Sequence, residues 1–216
     1  MRRVISIAQR KGGVGKTTLA VCLAGELKAR GMDVTLVDSD PQASAARWAE
    51  PGHLGFPVVE IVLGDRSVAA WVQDVRQIKT DVTVIDTAPV DRSLGAACAI
   101  SDLVVVPCTP SGLDLDATMR TLEIVDAVRV RSRGVPALIL VPNRVDRRTL
   151  EGQQLVEELT AFGENMGPPI GDRAAFVRAF ATGHTISRWA GDLAYGEIKG
   201  LCDLVEQTLG LAHVPA

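Results

Sequence analysis

Short apolar, mostly β-branched runs alternate along this chain with longer stretches whose apolar positions recur at helical spacing. Val4–Ala8, Val34–Val37, Val58–Val62, Val82–Ile85, Leu103–Val106 and Ala137–Val141 are too short for helices. They are also apolar on both alternating faces, the pattern of strands buried between two layers. The helical period fits Thr17–Arg30, Ser67–Gln77, Asp114–Ser132 and Thr149–Phe162, and it continues through Arg173–Leu209 with interruptions around Gly183 and Gly191. Gly31 stands where the first helix should stop. Strands and helices alternating at this spacing predict right-handed βαβ crossovers. The expected fold is therefore α/β: a single domain over 1–216, with a mostly parallel twisted sheet and helices on both faces. Ligands in such folds bind beyond the carboxyl ends of the strands.

Composition narrows this picture. Aromatic residues make up only 4% of 216, so the core must be built from Val, Leu, Ile and Ala. A net charge of -3 gives no whole-molecule attraction to nucleic acid or to anionic membrane, so any such binding must come from a local patch. No run approaches the ~20 apolar residues of a membrane span, and the few residues before the first glycines are too short for a signal-peptide core. The four cysteines, Cys22, Cys98, Cys108 and Cys202, lack CxxC spacing and read as buried small hydrophobes in a cytoplasmic protein. Only five of the 23 basic residues are lysines: Lys11, Lys16, Lys28, Lys79 and Lys199. Two of these five lie close together in one loop.

That loop is Lys11-Gly12-Gly13-Val14-Gly15-Lys16-Thr17-Thr18, directly after a strand and opening a helix. The strict phosphate-loop pattern asks for glycine where Arg10 stands, so the loop is a deviant form. Its glycines let backbone N–H groups turn inward around phosphate oxygens, and the helix N-terminus adds partial positive charge. Lys16 can reach the β- and γ-phosphates of ATP, and the Thr17 hydroxyl can ligate Mg²⁺. Lys11 is the unusual member. A second amine so close to Lys16 repels it unless anions satisfy both, and in a chain that otherwise uses Arg it suggests the need for a compact point charge.

Two strands end in carboxylates. Val34–Val37 runs into Asp38-Ser39-Asp40-Pro41, and Val82–Ile85 runs into Asp86-Thr87-Ala88-Pro89. Mg²⁺ keeps most of its waters and is held by one or two carboxylates plus phosphate oxygens, which is what a strand-end Asp beside a phosphate loop supplies. Asp86 is the better metal candidate. Asp40, beyond its strand, is better placed to orient an attacking water.

Together these segments resemble the ParA/MinD group of deviant Walker A ATPases. The resemblance covers Lys11–Thr18, Val37–Gln42, Ile85–Pro89, Ser101–Pro107, Pro110–Asp114 and Asn143-Arg144. It implies a homodimer formed face to face on ATP, with Lys11 reaching across to the partner's phosphates and acting catalytically with Lys16 and Asp40. Gly12, Gly13, Val14, Gly15, Lys16, Thr17 and Thr18 would cradle the phosphates, and Asn143 with Arg144 would lie at the adenine. Thr17, Asp86 and a supporting Asp38 would hold Mg²⁺. Hydrolysis should be slow until a ParB-like or cargo-adaptor protein stimulates it, because binding that is equally strong in ground and transition states does not raise turnover.

The compact ParA-like members bind nonspecific DNA as ATP dimers, whereas MinD-like ones bind membrane through a C-terminal amphipathic helix. Here the Glu197–Leu209 stretch has an acidic polar face and Gly210–Ala216 is not basic, so packing on the sheet is the expected role. Six arginines crowd 129–148, and Arg173, Arg178 and Arg188 fall where the family places DNA contacts. The expected location is cytoplasmic and nucleoid-associated. Two rival readings carry less support: a ligase of the dethiobiotin-synthetase type finds no substrate cluster of its own, and an electron-transfer ATPase finds no glycine-flanked ligating cysteine, Cys98 included.

Overall fold

A computed structural model describes residues 2–211. Its centre is a seven-stranded, wholly parallel sheet in the order β3-β2-β4-β1-β5-β6-β7. The strands are β1 (Arg3–Ile7), β2 (Val34–Asp38), β3 (Val58–Glu60), β4 (Val82–Asp86), β5 (Leu103–Cys108), β6 (Ala137–Pro142) and β7 (Asn165–Met166). Intervening helices are α1 (Lys16–Ala29), α2 (Ser44–Ala49), α3 (Val68–Gln77), α4 (Asp91–Ile100), α5 (Gly112–Arg131), α6 (Leu150–Thr160), α7 (Ala174–Thr182) and α8 (Leu193–Leu209), with a short 3-10 helix at Ile186–Trp189.

The continuous apolar runs are explained by burial from both sides. Along each strand, alternate residues go to opposite layers, as pleating requires. Ile5, Ile7, Val84, Leu103, Val105, Ile139 and Val141 join α1 and α8 on one face. Val104, Val106, Leu138 and Leu140 meet the layer of Leu155 and Leu159 on the other, while Val37 and Ile85 meet Trp71 and Val75. The expected α/β architecture is therefore what the chain adopts.

Helix α1 carries the phosphate loop at its start and stops where glycine was expected to stop it. Gly31 adopts φ 89, its N–H bonds to the Lys28 carbonyl and that of Met32 to the Leu27 carbonyl. Those two bonds are a Schellman closure, and they satisfy carbonyls that the helix end would otherwise leave open. The apolar face of α8 (Ile198, Leu201, Val205 and Leu209) is spent inside the core around α1. That leaves no apolar stripe on this helix for a membrane surface. Positions 212–216 of the non-basic tail lie outside the described residues.

Three elements are additions to the sequence expectation: α2, α4 and β7. Residues at the carboxyl ends of β1, β2, β4, β5 and β6 all emerge at one edge of the sheet, where Asp38 sits in register with Asp86, and Asp86 with Ile7.

Candidate functional site

Leaving β1, the chain buries Gln9 and then turns outward. The Gln9 amide donates to the Pro107 carbonyl and to Thr118 on α5, while its oxygen accepts from Thr121 and from the Arg10 N–H. This largely buried network fixes the stem of the loop to β5 and α5. Arg10, where strict phosphate loops have glycine, pairs with Asp91 at 2.6 Å at the start of α4. Gly13 and Gly15 take φ 78 and φ 93, backbone states that a side chain disfavours. A Cβ at Gly15 would also run into the Asn143 amide, which donates to the Val14 carbonyl at 2.6 Å. Asn143 therefore braces the loop from the end of β6.

Lys16 opens α1 with its ammonium largely buried and donates to the Lys11 carbonyl at 2.9 Å. Burial lowers its pKa, and the charges of Asp86 and Asp40 pull the other way. Thr17 donates its hydroxyl to Asp86 Oδ2 at 2.6 Å. The second oxygen, Asp86 Oδ1, is buried and accepts no hydrogen bond. Burial pushes the Asp86 carboxyl up to about 7, against the Thr17 bond and with help from the negative charge of Asp38. A buried carboxylate with one empty oxygen, next to a threonine hydroxyl and a loop of inward amides, is the donor set that a hydrated Mg²⁺ bound to phosphate needs. The residues present fit that ion.

Asp38, expected to support a metal shell, has both oxygens engaged by backbone N–H groups. It is completely buried; Oδ1 accepts from the Asp40 N–H at 3.2 Å, and Oδ2 from Ala45 and Ala46 at 2.9 and 3.0 Å. Burial raises its pKa first of all, while the three backbone bonds lower it. In this structure Asp38 caps the start of α2 from a distance and holds the backbone of Asp40. Asp40 itself is half-buried and accepts the Gln42 N–H at 2.9 Å.

The cavity beside the loop measures about 530 Å³. Gly12, Gly13, Gly15, Lys16, Thr17, Thr18, Asp40, Asn143, Arg144 and Arg173 line it. Val14 and Asp38 lie behind that lining, and Lys11 stands to one side, paired with Asp114 on α5. The cavity also has an apolar wall, Trp48, Phe176, Val177 and Phe180, that sequence reading did not assign. Trp48 meets Phe180 edge-on at 5.3 Å between ring centroids. Helical spacing through Arg173–Leu209 was visible in the sequence, yet nothing local tied α7 to α2.

The arginines divide. Arg173 is engaged by Glu197, Arg178 reaches Asp192 at 3.4 Å, and Arg129 is held by Glu164. Arg148 pairs with Asp146 at 2.8 Å. Among the described residues Arg131, Arg133, Arg144, Arg147 and Arg188 form no ion pair, and all five are exposed. The four cysteines are buried and unpaired, and burial pushes the thiols of Cys22 and Cys98 up to about 12.

Residues 5–186 match the CobQ/CobB/MinD/ParA nucleotide binding domain. The chain is 34% identical over 201 residues to the maintenance of carboxysome distribution protein A of Gloeobacter kilaueensis, covering 88% of this chain and 86% of that protein. Protein ParA of Rhizobium radiobacter is 28% identical over 200 residues, covering 88% and 89%. Among solved structures, the ATP complex of a Cyanothece McdA variant aligns with a TM-score of 0.78 at 19% identity, covering 100% of this chain and 99% of that one. The septum site-determining protein MinD of Pyrococcus horikoshii with Mg-ADP aligns at 0.76 and 17% identity, covering 99% and 100%.

Proposed function

The chain belongs to the CobQ/CobB/MinD/ParA nucleotide-binding family as a ParA/MinD-type ATPase, and from that premise we propose that it is an ATP-dependent dimerising switch that positions a cargo. The observation that carries this reading is the empty buried oxygen of Asp86 beside Thr17 and Lys16. Mg²⁺, when bound with ATP, would neutralise charge developing on the transferred phosphoryl group. The chain's own residues do the rest. Lys16 and the amides of the loop hold the phosphates, Thr17 and Asp86 hold the ion's side of the site, and Asn143 with Arg144 borders the base. Asp40, fixed by Asp38 through its backbone, orients the attacking water. Lys11 crosses to the phosphates of a second copy.

Two relatives, named for carboxysome distribution and for ParA, support cargo positioning or partition as the use of the switch. A stimulating adaptor protein would then set the hydrolysis rate. Nonspecific DNA is the favoured track, because α8 spends its apolar face on the core while Arg131, Arg133, Arg147 and Arg188 stand exposed and unpaired. Arg173 and Arg178, tied to acids, are weaker members of that surface.

Sedimentation of the Asp40→Ala variant with ATP tests the core of the proposal. It should accumulate as a dimer, because binding is intact and turnover is not. Only monomer at saturating ATP overturns the switch. A filter-binding titration with ATP tests the DNA part: phosphate contacts make affinity fall steeply with salt, and absence of any salt-sensitive association removes it.

A further inference from the structure

The turn 170–173 borders two cavities at once. Gly171, Asp172 and Arg173 line the cavity beside the phosphate loop and also a second one of about 450 Å³, and Arg144 is shared with them. Backbone bonds tie this turn to the end of β6. The Ile170 N–H donates to the Pro142 carbonyl at 2.8 Å, and the Val145 N–H to the Ile170 carbonyl at 2.9 Å. Asn143 and Arg144 lie between those two anchors. A side chain of α8 completes the hold. Glu197 Oε2 accepts the Gly171 N–H and Arg173 Nε, each at 3.0 Å, while Oε1 accepts from Arg173 Nη2. The planar guanidinium matches the planar carboxylate, so the grip is bidentate. The guanidinium is folded back over its own turn: a Cβ added at Gly171 would stand 3.0 Å from Arg173 Cζ, Nε and Nη2. Glu197 is itself steady, because its neighbours on α8, Ala194, Ile198 and Leu201, are fully buried.

We propose that Glu197 is a positioning residue for the nucleotide: by clasping Arg173 over Gly171 it holds the turn 170–173 as a ready-made wall for the base end of ATP. This inference rests on the reading of Asn143 and Arg144 as residues that border the base. Without the clasp the Gly171 N–H loses its acceptor, and ATP would have to order the turn as it binds. That ordering cost falls on affinity. The phosphates are held elsewhere, by Lys16, Thr17 and the loop, so the reacting end of ATP does not feel the turn. A contact that is equally good before and during the reaction sets KM and leaves kcat alone. Arg173 then serves the nucleotide cavity, not a DNA surface.

The test reads ATP and inorganic tripolyphosphate binding side by side, by calorimetry, in wild type, Glu197→Gln and Gly171→Ala. Tripolyphosphate uses only the loop, so it reports the phosphate end and the integrity of the fold. Glu197→Gln should weaken ATP binding roughly tenfold, the size of a lost charged hydrogen bond, while tripolyphosphate stays within about twofold. Its KM for ATP should rise with kcat unchanged. Gly171→Ala keeps every charge but pushes the guanidinium off its seat, so a smaller loss of the same kind is expected. Parallel loss of both ligands in Glu197→Gln makes the residue a prop of the fold and overturns the proposal. Unchanged ATP affinity overturns it as well; if salt-sensitive DNA association strengthens in the same variant, Arg173 belongs to the DNA surface. Wild type that binds tripolyphosphate as tightly as ATP overturns the base-facing reading of Asn143 and Arg144 itself.

Discussion

The ends of β2 and β4 lie side by side, with Asp38 directly in register with Asp86, and each delivers one buried carboxylate to the same edge of the sheet. Their surroundings are opposite. Every oxygen of Asp38 is met by backbone N–H groups that belong to the start of α2 and to Asp40. Asp86 has one hydroxyl on one oxygen and nothing on the other. A carboxylate whose acceptors are filled by the chain is held in place by it, whereas one left half-filled keeps an acceptor open; Glu26 and Glu206 each leave one oxygen bare as well, but in the ion pairs around Arg30, whereas Asp86 does so beside Thr17 and Lys16 at the loop. Sequence position alone could not separate them, since both are the last residue of an apolar strand.

Four measurements would break or sharpen that contrast. The largest effect should be on turnover: Asp86→Asn is expected to lower ATP hydrolysis by about 100-fold or more, because the carboxylate proposed to hold the ion is removed. A phosphate-release assay at saturating ATP reads this directly, and near-normal turnover would move the metal role elsewhere. The second concerns stability without nucleotide. Asp86 titrates at about 7 folded against an ordinary value of 3.8. Its folded pKa is raised, so the contribution of this group to stability is intact below about pH 4, declines as pH rises towards 7 and stays reduced above that. Asp86→Asn should therefore stabilise the protein at pH 8 by on the order of 3 kcal/mol and by little at pH 4, as urea titrations at both values would reveal.

The third carries the opposite sign. Asp38→Asn turns an acceptor-only group into one that must point an N–H₂ at backbone donors; burial raises the Asp38 pKa and so favours a neutral side chain, but the clash of donor with donor outweighs this, and the fold should lose about 1 kcal/mol at pH 8. If instead it stabilises, the capping role is wrong and the two carboxylates are alike after all. The smallest effect belongs to Thr17→Val. Losing its hydrogen bond to Asp86 raises that carboxyl further, so a penalty of about 1 kcal/mol should be seen at pH 8 and vanish near pH 4.

Legibility from sequence followed the range of the interactions involved. The apolar runs and the Gly31 stop are local patterns, and the strands and the first helix came out within a residue or two of their observed ends. Helix α2 did not come out, because its cap is Asp38, six positions before it, and its start, Ala43, takes φ 50, a state alanine does not advertise. Helix α4 has no side-chain cap. Strand β7 is a two-residue edge piece with no apolar run to mark it. At the site, the convergence of Lys16, Thr17 and Asp86 was legible because each stands at a fixed place in a short motif at a strand end. The backbone partners of Asp38 were not legible, because only the folded turn brings Asp40, Ala45 and Ala46 round to it. The pairing of Lys11 with Asp114 links the loop to another helix, and no local pattern encodes it.

Trp48 sits at the crossing of these contacts. It lies on α2, the helix capped by Asp38, is almost wholly buried against Phe180, and donates its indole N–H to the His184 carbonyl. Its indole therefore serves as a built-in optical probe. Any rearrangement of the Asp38–Asp40 segment that tilts α2 would hydrate that ring and shift its emission to the red; Trp71, enclosed in the opposite layer of the sheet, supplies a steady background, and replacing the third tryptophan, Trp189, which packs on His184, with Phe leaves Trp48 as the reporter.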